Sequence, residues 1–88
     1  MRDREFGVIT FKSTHHAMRG ESIFKKDNLD FKMIPTPREI TYSCGLSIRF
    51  ALEDISKVSD ILEKHGMDIE GIFRYQRDHI GSRVTKLN

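Results

Sequence analysis

Eighty-eight residues make one domain, because a chain this short buries only about 60% of the surface it exposes when unfolded and has no material for a second core. Fifteen basic and thirteen acidic residues leave a formal charge of +2, too weak a field to steer the chain toward nucleic acid or an anionic membrane, and a hydrophobic content of 38% fits a globule rather than a disordered chain. A single cysteine excludes an internal disulfide, and no apolar run nears the roughly 20 residues that cross a bilayer.

The opening MRDREFGVITF lacks the apolar stretch of a secretion signal, so a cytoplasmic location is expected. Val8, Ile9 and Phe11 mix with Thr10 and Lys12 to predict a first strand over Phe6 to Ser13. Thr14 then reads as the N-cap of a helix from about His15 to Lys26, with Ala17, Met18, Ile23 and Phe24 as its apolar stripe. Phe31, Met33 and Ile34 form a second, peripheral strand that Pro35 and Pro37 bring to an end. In the third strand Leu46, Ile48 and Phe50 alternate with polar or small residues. Asp54 reads as the cap of a second helix, where Ile55, Val58, Ile61 and Leu62 recur at helical spacing, and Gly66 as its stop. Ile69 to Tyr75 supplies a fourth strand. The polar tail 78–88 lacks periodicity and is expected to be loose or ordered by a partner, outside a domain of residues 1–77.

The order β-α-β-β-α-β is the split βαβ arrangement called ferredoxin-like, an α+β fold with two helices on one face of a four-stranded antiparallel sheet. The other face is expected to stay open, with Phe6, Phe11, Phe73 and Tyr75 partly available to it, so a homodimer through that face is a candidate assembly.

In this topology strands one and two run toward the same rim, where helix one begins. Ser13, Thr14 and His15 should then meet Arg38, Ser43, Cys44 and Gly45, with Lys64, His65 and Gly66 arriving from the end of helix two. Helix N-terminal amides and an arginine favour a thiolate or another sulfur anion, and Gly45 would let backbone approach the sulfur. Against this stands a buried Cys44 that merely starts strand three, as free cysteines often do. Arg38 has the alternative of a solvated loop charge. His15 and His16 point about 100° apart on a helix, and no second cysteine completes a metal site, so neither a metal nor another cofactor is expected.

The segment IPTPREITYSCGLSIRF, residues 34–50, preceded by ITFKSTHHAMRGE at 9–21, resembles the selenium/sulfur carrier protein-like family of small domains. Its signal is Pro-Arg-Glu-Ile followed four residues later by Cys-Gly, and the likeness runs from about residue 6 to 76. The resemblance implies that Cys44 takes up sulfur or selenium as a persulfide-type adduct and hands it on, with Arg38 matching the motif's arginine. A donor such as a cysteine desulfurase or a TusA-like protein is then implied, and a carrier rather than a turnover enzyme. Thr41 and Tyr42 depart from the small, serine-rich segment usual before Cys-Gly, and a bulky Tyr42 is expected to restrict access to the sulfur.

Two other readings stand beside the carrier. One is a ferredoxin-like module that binds a small anion at the start of helix one or a protein on the open sheet face. The other is an RNA-binding sheet, which residues 46–50 disfavour because they lack the basic-glycine-aromatic pattern that stacks bases.

Overall fold

The computed structural model describes residues 5–40 and 44–88. Its elements are β1 (Glu5–Thr10), α1 (Thr14–Lys26), β2 (Phe31–Pro35), β3 (Leu46–Phe50), a short 3-10 turn (Leu52–Asp54), α2 (Ile55–His65), β4 (Gly71–Arg77) and β5 (Ser82–Lys86). All neighbouring strands pair antiparallel in one sheet of order β2-β3-β1-β4-β5.

Strand alternation sorts the side chains into two layers. Ile9, Ile48, Phe50 and Ile72 point to the face covered by both helices, where Ala17 and Phe24 of α1 and Val58 and Ile61 of α2 complete the main core. Phe11, expected on the opposite face, lies fully buried in this core, because two positions beyond Ile9 the alternation puts it on the same, helix-covered side. Its ring packs where α1 has Gly20; a Cβ there would come within 2.9 Å of Phe11 Cζ.

The opposite face is not open. Val8, Phe73 and Ile40 are buried there in a second cluster, with Phe6, Ile34, Tyr75 and Val84 around them. Ile40 belongs to no strand; the segment after β2 brings it across the sheet, and it shelters apolar surface that two helices on one face cannot reach.

The sheet has five strands where four were expected. Asp78 turns the chain back by accepting from the N–H groups of Ile80 and Gly81 at 2.9 and 3.1 Å, while its own N–H donates to Gly81 O. Residues 82–86 then pair with β4, Val84 opposite Tyr75, and Leu87 N–H donates to Ile72 O at 2.8 Å. The tail is therefore an edge strand and not a loose end.

The helix ends also differ in detail. Ser13, not Thr14, caps α1, its Oγ accepting from His16 N–H at 3.2 Å. Asp54 occupies the N-cap position of α2 without a side-chain capping bond; its backbone, with φ of -93° and ψ of 10°, lacks the extended conformation of a capping residue, and its N–H donates to Ala51 O in the 3-10 turn. Gly66 stops α2 as expected, in the left-handed conformation with φ of 57°. Among the described residues no helix is long and apolar enough to cross a membrane.

Candidate functional site

β1 and β2 each run antiparallel to β3 and so end at the same rim of the sheet, which is where Cys44 is fastened. Its N–H donates to Phe11 O at 3.3 Å, just beyond β1, and its carbonyl accepts from Thr36 Oγ1 at 2.8 Å, just beyond β2. Thr36 N–H also donates to Gly45 O at 3.1 Å. With the Thr36 hydroxyl proton committed to Cys44 O, the 2.6 Å contact between Thr36 Oγ1 and the fully buried Ser47 Oγ has Ser47 as donor. Backbone and side-chain bonds thus hold the cysteine in place from two strands.

The side chain is half-buried. Cys44 packs against the margin of the helix-side core, and its Sγ lies 3.3 Å from Leu46 O as a weak S–H donor. A thiolate cannot donate, so ionisation would give up that contact and release the sulfur from the carbonyl. Gly45 beside it is exposed, and a Cβ added there would meet nothing within 4 Å. No close backbone approach requires glycine at this position.

Of the residues expected around the sulfur, the beginning of α1 shares the rim. Phe11, which binds the Cys44 amide, lies two positions before Ser13. Ser13 spends its oxygen on the helix cap and on a 2.7 Å contact with His16 Nδ1, whereas Thr14 and His15 are exposed on the first turn. Lys64 and His65 do not come to the sulfur: both reach Asp27 at the far end of α1, His65 Nε2 at 3.2 Å and Lys64 Nζ at 3.9 Å. Tyr42 and Ser43 lie outside the described residues.

Arg38 goes to the other side of the sheet from Cys44. The segment that buries Ile40 in the second cluster carries Arg38 with it, and Arg38 lines an open recess of about 590 Å³ together with Phe6, Glu39, Arg49, Tyr75 and Arg77. Cross-strand register builds this recess. Phe6 sits opposite Tyr75, their rings stacked at 4.8 Å, and Arg49 lies 4.2 Å over the Phe6 ring from the next strand. Glu39 accepts from Ser82 Oγ of β5, and that bond chiefly holds its carboxyl below the usual range; its own backbone N–H and the charges of Arg77 and Arg38 act the same way against a small cost of burial. The sequence did contain a signal for this cluster, since alternation places Phe6, Arg49 and Tyr75 on one face once the strands are paired.

The family described as "Putative Se/S carrier protein-like" matches residues 6–74. An uncharacterized protein of Methanocaldococcus jannaschii is 39% identical over 59 residues, a stretch that covers 67% of this chain and 29% of that protein. The chain therefore spans less than a third of the length of this relative. No solved structure matches the chain. The match takes in both helices, the first three strands but for Glu5, the first half of β4, and the Pro-Arg-Glu-Ile and Cys-Gly segment, so this chain is a member of the Se/S carrier protein-like family.

Proposed function

We propose that the protein carries sulfur or selenium on Cys44, within a fold of the ferredoxin-like class. The strand order β2-β3-β1-β4 with both helices on one face supports the fold reading, and β5 is an addition at the β4 edge. Family membership supports the cargo. The observation that carries the assignment to Cys44 is its placement: a half-buried thiol at the rim, with its backbone pinned by Phe11 and Thr36 and an exposed glycine beside it.

In the transfer step the Cys44 thiolate attacks the outer sulfur of a persulfide on a donor protein. A new bond forms at Sγ while the donor's own S–S bond breaks; the donor leaves as a thiolate and the hydrogen stays on the transferred sulfur. No external oxidant is needed, and exchange at sulfur asks for a thiolate and access rather than a dedicated base. A cysteine desulfurase or a TusA-like protein fits the donor role, and an acceptor thiolate would reverse the step. Half-burial suits a carrier, since a wall on one side of the persulfide limits its loss to small thiols.

The test is intact-mass measurement after incubation with a cysteine desulfurase and cysteine. A gain of one sulfur on the native chain and none on Cys44→Ser is expected; an equal gain on both, or none on either, removes the carrier assignment.

A further inference from the structure

We propose that Thr36 is a positioning residue of the carrier site: from the sheet face opposite the thiol, its hydroxyl holds Cys44 against the core margin and so guards a carried sulfur from small thiols. The inference rests on the carrier reading for what Sγ bears, while its geometry is that of the backbone. β3 begins at Leu46, so the carbonyls of Cys44 and Gly45 lie just outside the strand, and one residue bonds to both. Thr36 N–H donates to Gly45 O at 3.1 Å, and Thr36 Oγ1 donates to Cys44 O at 2.8 Å. The peptide planes on either side of Gly45 are thereby fixed, at an exposed glycine whose backbone has the widest choice of conformation.

The hydroxyl is itself oriented from behind. Fully buried Ser47 lies opposite Ile34 in the register, and Ile34 packs on the second cluster, away from the helices. Thr36, two positions after Ile34, shares that side, where its Oγ1 meets Ser47 Oγ at 2.6 Å. A hydroxyl has one proton; with that of Thr36 spent on Cys44 O, Ser47 donates into Thr36 and sets the direction in which Thr36 can give its own. The sulfur packs on the helix side, so both hydroxyls act on it through the Cys44 backbone. Loss of the Thr36 hydroxyl frees the chain at Gly45 and lets Cys44 swing off the core margin. A sulfur atom carried on Sγ then loses its protein wall, and a small thiolate reaches it from more directions. Thr36 thus sets how well the carried atom is kept for a protein acceptor.

The test loads the sulfur without a donor protein. An aryl disulfide converts Cys44 to a mixed disulfide, and hydrosulfide then attacks Sγ and expels the aryl thiolate, leaving a persulfide. Its decay in excess glutathione, whose thiolate takes the outer sulfur and releases the Cys44 thiolate, is followed by intact mass. Thr36→Val, which keeps the branched shape without the hydroxyl, is expected to lose sulfur roughly fivefold faster than the native chain, the ratio that one neutral hydrogen bond gives. Thr36→Ser, which keeps the hydroxyl and drops the methyl group, should hold the native rate, and Ser47→Ala should fall between. Native-rate loss in Thr36→Val, or faster loss in Thr36→Ser than in Thr36→Val, overturns the proposal, since packing of the methyl group rather than the hydroxyl would then hold the site. Where Thr36→Val fails to fold by its amide spectrum, Ser47→Ala decides: loss faster than native supports the role of the hydroxyls and the native rate overturns it. Failure of a desulfurase to load the native chain removes the carrier reading alone, because these rates belong to the seat of Cys44 and need no donor.

Discussion

Two glycines show how differently single residues are constrained. A Cβ at Gly7 would sit 2.2 Å from Cζ of Phe50, a ring buried under the helices with nowhere to retreat. Gly7→Ala is expected to lower stability by about 1–3 kcal/mol, measured as a shift of the urea midpoint, because the core must be forced apart to admit one methyl group. Gly45→Ala, with open space around it, should leave that midpoint unchanged and also leave sulfur uptake intact. The sequence pointed to the opposite weighting, giving Gly45 a role beside the thiol and Gly7 none. Composition shows that a glycine is present; it does not show which ring lies across from it. The same limit displaced Arg38, since a loop leaving the rim of a sheet can fold over either face, and only the burial of Ile40 decides which.

At the scale of elements, the parts with regular hydrophobic spacing were legible. β3 alternates Leu46, Ile48 and Phe50 toward one face, α2 repeats Val58 and Ile61 at helical spacing, and both occur where the pattern puts them. β5 was not legible because Val84 is its only half-buried side chain and most of its support is backbone pairing to β4. The turn that makes it possible rests on Asp78 and Gly81, spaced to return the chain in a tight hairpin, a local signal that outweighs the missing periodicity. At the start of α1 the choice between Ser13 and Thr14 falls to Ser13, whose backbone is extended with φ of -153° and whose Oγ reaches the His16 amide. Ser13→Ala should therefore cost about 1 kcal/mol in urea denaturation, while Thr14→Ala costs a few tenths at most. Since the cap lies at the rim that holds Cys44, sulfur loading of Ser13→Ala is a useful companion measurement, expected to fall less than in Cys44→Ser.

For the whole molecule, acid is the condition that probes the link between the rim segment and the new edge strand. Folding lowers the Glu39 pKa from its ordinary value of 4.5, chiefly through the bond from Ser82. A depressed carboxylate adds stability that is complete above the unfolded value and disappears as pH falls through the folded one. The native chain should thus lose stability below about pH 4.5 more steeply than Ser82→Ala, in thermal melts recorded across that range. Glu39 is exposed, so the difference will be modest. Ile40 and Cys44 stand four positions apart yet pack on opposite faces of one sheet. The rim is consequently a seam through which the two layers pull on each other: trimming Ile40 to alanine slackens the strap on one side and the seat of the sulfur on the other. Deuterium uptake at the Cys44 amide, bonded to Phe11, should quicken in Ile40→Ala, although the substituted side chain never touches it.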